Sequence, residues 1–275
     1  MSDWGQGVVN NSIEWGRGST NNTIDWGSVY ADSPSGDTAL ETSGFSNTYS
    51  LGLNQTAVDQ YAECGNVTSL NGSAVASWSF WVKRDDVTSF EVPISQGGAG
   101  NDRLFYLRFV GNNRIDFFIK GSVMWKDTSL NVTFANNTWY NIIVTYNGAT
   151  SGVTNKCNLY INGVKETNTT GSNITSMPSS TTNFNIGRLQ SGASSYNNYF
   201  DGNVDEIALF DKELSQSEVT AIASGPGDLT GHDGLTDWWR CGDNDGGTGT
   251  TLTAAVGGVN GALYNSASYE SNVPT

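Results

Sequence analysis

From about residue 41 onward the chain alternates apolar and polar positions with a period of two. Trp78, Phe80 and Val82 take one side of SWSFWVKR, Phe105, Leu107 and Phe109 one side of RLFYLRFVG, and Ile115, Phe117 and Ile119 one side of RIDFFIKG. Tyr140, Ile142, Val144 and Tyr146 do the same in WYNIIVTYNG, as do Cys157, Leu159 and Ile161 in KCNLYINGV. A strand sends successive side chains to opposite faces, so this pattern predicts half-buried antiparallel strands. Asn162-Gly163 follows the last run, and both residues tolerate the positive φ of a type I′ turn, which predicts a tight hairpin. One segment breaks the period. Ser215-Gln-Ser-Glu218 has the capping-box form, Val219, Ile222 and Ala223 follow, and Gly225-Pro-Gly227 ends the run. A helix of about two to three turns is expected there. Many short strands with one short helix predict an all-β chain, an antiparallel β-sandwich of jelly-roll type.

The first 40 residues follow a different rule. Trp4-Gly-Gln-Gly-Val-Val-Asn-Asn-Ser-Ile-Glu14 is followed by Trp15-Gly-Arg-Gly-Ser-Thr-Asn-Asn-Thr-Ile-Asp25, and Trp26-Gly27 begins the unit again. Two glycines per unit and the Asn-Asn pairs exclude a helical coil of the same period. The better picture is Ser/Thr-Ile-Asp/Glu-Trp as a short strand between turns. Repeats this few do not bury their own tryptophans, since stacked units generally need about three copies. Trp4, Ile13, Trp15, Ile24 and Trp26 are therefore the candidate attachment or oligomerisation residues, completed by sister subunits or a larger assembly. Tyr30-Ala-Asp-Ser-Pro-Ser-Gly-Asp37 reads as a boundary loop. The expected organisation is an arm over 1–40 and a sandwich over 41–275.

Composition narrows the function classes. The chain of 275 residues carries 13 Lys and Arg against 27 Asp and Glu, a net charge of −14. A non-specific nucleic-acid binder needs the opposite balance, so that class is set aside. No run has the length of a membrane-spanning helix, and MSDWGQG has neither the basic nor the apolar region of a signal peptide, so membrane insertion and conventional export are not expected. Cys64, Cys157 and Cys241 have no metal-ligand spacing; they allow one disulfide, or buried thiols acting as small hydrophobes.

Four segments together resemble the laminin-G-like branch of the concanavalin A-like jelly rolls. Tyr49-Ser-Leu-Gly-Leu-Asn-Gln-Thr-Ala-Val-Asp-Gln-Tyr-Ala-Glu-Cys-Gly65 looks like the family's opening F-D-G-x-N-D-Y-V strand pair in degraded form. Trp78-Ser-Phe-Trp-Val-Lys83 comes next, then Trp139-Tyr-Asn-Ile-Ile-Val-Thr-Tyr-Asn147 with Leu159-Tyr-Ile-Asn-Gly-Val164. Phe184-Asn-Ile-Gly187 and Phe200-Asp-Gly-Asn-Val-Asp-Glu-Ile-Ala-Leu-Phe210 complete the order, up to the capped helix. The resemblance covers roughly residues 41–225. Asp237-Trp-Trp-Arg-Cys-Gly-Asp-Asn-Asp-Gly246 through Gly261-Ala-Leu-Tyr264 is similar to the segment that opens many such modules, so 228–275 reads as a permuted closing segment. The tryptophan units and this closing arrangement also resemble structural proteins of tailed bacteriophages.

The resemblance implies sugar or calcium binding at loops. Asp59, at the family's N-D-Y-V position, and Asp205, in V-D-E, are the carboxylates it brings to a calcium ion. Here Val58 and Gln60 flank Asp59 and leave fewer oxygen ligands; the alternative is loop carboxylates accepting backbone hydrogen bonds. Asp243-Asn-Asp-Gly246 reads as an Asx turn. For sugar stacking, Trp125, Tyr196 and Tyr199 are the aromatic candidates beside Asn/Ser/Gly-rich loops, against plain rim packing. Glycoside hydrolysis needs two carboxyl groups roughly 5 to 9.5 Å apart across a cleft. The chain lacks the E-x-D-x-x-E strand motif of the laminarinase-like relatives, and Asp205 and Glu206, adjacent on a strand, are expected to face opposite ways. His232 has no nucleophile signature beside it.

The reading that follows is a non-enzymatic virion protein, as capsid decoration, head fibre or tail fibre, on the particle exterior after assembly in the host cytoplasm. Its expected partners are other virion proteins, sister subunits in a homo-oligomer such as a trimer, and host-surface glycans. The alternatives are a polysaccharide-degrading or modifying enzyme on the same fold, and a bacterial surface adhesin.

Overall fold

The computed structural model describes residues 44–275, apart from 56–57, 99–102, 127–129, 169 and 193. The repeat arm, with Trp4, Ile13, Trp15, Ile24 and Trp26, lies outside the described residues.

Two antiparallel sheets face each other. Sheet A contains β1 (Ser50–Leu53), β3 (Val75–Arg84), β9 (Trp139–Asn147), β10 (Cys157–Ile161), β11 (Val164–Lys165), β15 (Gly202–Phe210), β16 (Leu235–Trp239), β18 (Ala254–Val256) and β20 (Ser268–Glu270). Its order is β11-β10-β9-β3-β15-β1-β20, with β16 also on β15 and β18 on β16. Sheet B contains β2 (Tyr61–Cys64), β4 (Phe90–Glu91), β5 (Ile94–Gly97), β6 (Arg103–Val110), β7 (Ile115–Ile119), β8 (Ser122–Lys126), β12 (Phe184–Ile186), β17 (Thr251–Leu252) and β19 (Gly261–Tyr264). It runs β17-β19-β2-β12-β5-β6-β7-β8, with β4 on β6. A two-stranded hairpin of β13 (Leu189–Gln190) and β14 (Tyr196–Asn197) stands apart. This is the expected sandwich.

The period-two residues form the core between the sheets. Trp78 of sheet A packs its ring against Phe105 at 5.0 Å and Phe117 at 4.9 Å in sheet B. Phe184 of sheet B stacks on Trp239 of sheet A at 5.1 Å. Centroid spacings of this order are those at which aromatic pairs add to simple burial. Asn162 and Gly163, at φ 50° and 78°, turn β10 into β11 as the hairpin signal requires.

The helix α1 (Gln216–Ala223) starts at Ser215, whose hydroxyl accepts from the Glu218 N–H while the Glu218 carboxylate accepts from the Ser215 N–H. Val219 and Ile222 pack with Leu214 and Leu229 onto Ile143, Tyr160, Ala208, Phe210 and Trp238. These five lie on the outer face of sheet A. That second core explains why β9 carries Ile142 and Ile143 side by side: one faces sheet B, the other faces α1.

Strand β15 contains a bulge. Its pairing with β3 slips by one residue between Asp205 and Ala208, and Glu206 sits at φ 48°. On one flank β1 lies beside Gly202–Val204 and β16 beside Ile207–Phe210, so the bulge falls where one neighbouring strand gives way to the other. A bulge adds one residue to a strand and re-aims a side chain. The expectation that Asp205 and Glu206 face opposite ways is corrected here. Asp205 is opposite Trp81, and Glu206 reaches Trp238, both on the outer face of sheet A.

The three cysteines are free and buried, so among the described residues no disulfide forms. Burial alone pushes the Cys157 thiol up, as it does to Cys64 with the charges of Asp237 and Glu63 adding.

Candidate functional site

The outer face of sheet B carries a group of aromatic side chains. In β2, Ala62 and Cys64 turn into the core, which leaves Tyr61 and Glu63 outward. In β19, Leu263 turns inward and Tyr264 outward. Register sets Tyr61 opposite Tyr264 and Glu63 opposite both Ala262 and Asn185. Directly opposed residues share a face. The two tyrosine rings accordingly stack, with centroids 4.7 Å apart and planes within 10°.

Arg188 braces this pair from beneath. Its guanidinium lies 3.4 Å from the Tyr61 ring centre and 3.6 Å from that of Tyr196. Its Nε donates to Asn185 Oδ1 at 2.7 Å, and Nη2 donates to the Glu63 carboxylate. The other oxygen of Glu63 accepts from Asn183 Nδ2 at 2.9 Å. A cation between two rings, with its fork committed to an amide and a carboxylate, is held in one place. Gly187, at φ +87°, precedes Arg188, and a Cβ there would meet the Leu53 side chain at 2.5 Å. The chain therefore takes a turn that favours glycine, and this delivers Arg188 to the sheet.

The hairpin β13–β14 brings Tyr196 to Arg188, and Tyr199 follows it. Burial pushes the Tyr199 phenol up, the Asp59 charge adds, and Arg188 opposes both. So two of the three aromatic residues proposed for sugar stacking stand together. Tyr264 is 40% exposed, while Arg188 is buried. The result is a column of stacked groups, Tyr264–Tyr61–Arg188–Tyr196, whose exposed end is the Tyr264 ring, with the Glu63 carboxylate and the Asn183 amide beside it. Such an end suits a ring with one apolar face and hydroxyls around its rim.

Trp125 is not part of it. It lies in β8 opposite Phe117, fully buried in the main core, where no sugar reaches its ring. Both Met124 and Trp125 are buried, so this strand does not follow the open-face alternation that would have exposed one of them.

The two proposed calcium ligands have different surroundings. Asp59 is exposed in the loop between β1 and β2, where Asn265 Nδ2 donates to its backbone carbonyl at 2.7 Å. Asp205 is fully buried in sheet A; its carboxylate accepts from Asn47 Nδ2 at 2.9 Å and from the Glu206 N–H at 2.8 Å. No hydrogen bond or common partner joins them, and the pair does not fit a calcium cradle. Among the described residues, no group of three or more His, Cys, Asp or Glu side chains is gathered for a metal.

Asp205 and Glu206 do form a buried acidic pair. Burial, then the neighbouring Glu206, pushes Asp205 well up; burial raises Glu206 to about 7, against the opposing pull of Arg240 and Trp238. Glu206 accepts from Trp238 Nε1 at 2.7 Å and from Arg240 Nε at 3.4 Å. A cavity of about 570 Å³ lies nearby, lined in part by Phe45, Tyr49, Trp238, Arg240 and Asp243. Its one cation among the described residues is committed internally: Arg240 lies 4.2 Å over the Phe45 ring and donates to Asp243 at 3.1 Å and to the Ser46 carbonyl. Asp243 also accepts from the Thr48 N–H, and Asp245 from Thr253 and Tyr269, so this turn ties the closing segment together. His232 sits edge-on to Phe210 at 5.3 Å.

Sequence reading missed Tyr61, Glu63, Arg188 and Tyr264. Alternation in YAEC and GALY does place both tyrosines off the core, but nothing local says that they pair.

A family model described as the concanavalin A-like lectin/glucanases superfamily matches residues 55–220. No curated protein matches by sequence. Among solved structures, the fold is similar to a candidate carbohydrate binding protein from Bacteroides ovatus ATCC 8483, with TM-score 0.60 and 15% identity over 84% of this chain and 62% of that one. This chain thus spans less than two thirds of that protein. It is also similar to a native heptameric SAP-like pentraxin from Limulus polyphemus, with TM-score 0.57 and 12% identity over 80% of this chain and 96% of that one.

Proposed function

We propose that this chain, which belongs to the concanavalin A-like lectin/glucanases superfamily, is a non-enzymatic saccharide-binding module. The observation that carries the reading is the Tyr61–Tyr264 stack, braced by Arg188 and edged by Glu63 and Asn183. A pyranose lays its C–H face on Tyr264 and offers its hydroxyls to the rim. The similarity in fold to a candidate carbohydrate binding protein from Bacteroides ovatus supports the same class of ligand. Against turnover stands the placement of the acids. Asp205 and Glu206 are neighbours on one bulge, buried and engaged by Asn47, Trp238 and Arg240, whereas hydrolysis needs two carboxyl groups facing each other across an open cleft.

Titration with a panel of neutral oligosaccharides tests this. Tyr264→Ala should weaken the best ligand by roughly tenfold with only a small fall in melting temperature, because the ring is partly exposed and its stack on Tyr61 is worth about 0.5–1.5 kcal/mol. Unchanged affinity would sink the site. Release of product from any polysaccharide would favour the enzyme reading instead.

The setting proposed for the module is the exterior of a virion, with host-surface glycans as ligands. The repeated W-G-x-G-x-x-N-N-[S/T]-I unit supports this, as a device presenting Trp4, Trp15 and Trp26 to sister subunits or other virion proteins. Native mass of the whole chain, measured beside a chain starting at residue 41, should show assembly only in the former. Two monomers would exclude self-association through the arm.

A further inference from the structure

The tyrosine platform occupies one end of a longer face. Register carries that face across sheet B from Glu63 to Asn185, Asn185 to Ser95, Ser95 to Tyr106 and Tyr106 to Phe118. From β19 to β7 this spans about 24 Å at ordinary strand spacing. Leu189 of the β13–β14 hairpin packs on Tyr106 and Phe118 and divides the face into two open ends.

The second end is cationic, in a chain of net charge −14. Arg108 and Arg114 converge on Asp116, which is fully buried: Arg108 Nη2 donates at 2.7 Å, and Arg114 Nε and Nη2 donate at 2.7 and 2.8 Å. Two guanidinium groups share one carboxylate and leave a positive charge over. Their side chains are 26% and 24% exposed, so both still reach solvent. Arg108 Nε is buried and has no hydrogen-bond partner. Arg103 adds a third cation on β6, 4.9 Å over the Tyr106 ring; it has no ion pair among the described residues and donates to the Gly98 and Gln190 carbonyls. Arg108 also lies 5.8 Å over Phe90, whose ring is 56% exposed.

We propose that this arginine end binds the anionic substituents, sulfate esters or uronate carboxylates, of an acidic polysaccharide whose sugars several units further along rest on the tyrosine end. The proposal rests on the saccharide-binding reading of that platform. A planar fork suits both anions, and the exposed Phe90 ring beside it supplies a face for the sugar that carries them. The general charge of the chain opposes such a ligand, so any preference for it must come from a local patch.

The test compares binding of the whole chain to laminarin (neutral), alginate (uronate) and fucoidan (sulfate ester). At least one acidic polymer should bind roughly tenfold tighter than the neutral one, and the preference should fade between about 50 and 300 mM salt. The two acidic probes distinguish carboxylate from sulfate. Arg114→Gln leaves the Arg108–Asp116 pair in place, and should reduce the acidic preference while leaving laminarin unaffected. Equal affinity for all three polymers overturns the proposal, as does an acidic preference that survives Arg114→Gln. If Tyr264→Ala changes nothing while Arg114→Gln still removes the acidic ligand, the tyrosine reading fails and the arginine site stands by itself.

Discussion

At the scale of single residues, the most informative group is Glu206. Its bond to Arg240 favours the charged form, and burial favours the neutral one. Burial wins, because Glu206 sits near 7 rather than at the ordinary 4.5. Asp205 beside it moves in the same direction. The consequence for stability has a definite sign. Between about pH 4.5 and 7 the folded chain holds a proton that the unfolded chain has released, so stability is highest below that window and falls as pH rises through it. The contribution is up to about 3 kcal/mol for a shift of this size. The melting temperature should therefore fall from pH 5 to pH 8, and Glu206→Gln should reduce that slope, leaving the part that Asp205 and Glu91, which burial also raises, supply. A wild-type melting temperature that climbs over the same range would show that the Arg240 attraction, not burial, decides the site.

At the scale of elements, what could be read from the sequence was whatever depends on near neighbours. The strands around Trp78, Phe105, Ile115, Ile142 and Leu159 each announce themselves by alternation, because one side of each must reach the core. The helix after Ser215 and the turn at Asn162-Gly163 follow from capping and φ preference, which are also local. The bulge at Glu206 was not legible, since it exists where β1 gives way to β16, and those strands are far apart in the chain. The binding face was half legible for the same reason. Tyr196 and Tyr199 stand out in a polar loop, but Tyr61 meets Tyr264 only through a non-local register, and Arg188 arrives by a turn that Gly187 allows. Trp125 misled for the opposite reason: a slip in the pairing of β8 with β7 turns both Met124 and Trp125 into the main core, so an aromatic ring there carries no message about ligands.

At the scale of the molecule, the family match ends at residue 220, yet the chain beyond it is structural. Strands β16, β18 and β20 extend sheet A, while β17 and β19 extend sheet B. Trp239, Cys241, Leu252, Leu263 and Ala267 from this segment belong to the main core. Losing one large buried aromatic residue costs about 3–5 kcal/mol, against a total stability of about 5–15 kcal/mol for a typical domain. Losing Trp239 with its four companions, and leaving Ile207–Phe210 without its β16 neighbour, exceeds that margin. A chain of residues 41–227 should accordingly show no cooperative thermal transition. Adding a separate chain of residues 228–275 should restore the transition, and with it the saccharide binding that depends on Tyr264. Cooperative unfolding of 41–227 alone, at a temperature near that of the whole chain, would mean that the matched region is a complete fold and that the closing segment is an accessory to it. The binding result then separates the two roles of the segment, because Tyr264 is needed for the platform whether or not β16–β20 are needed for the core.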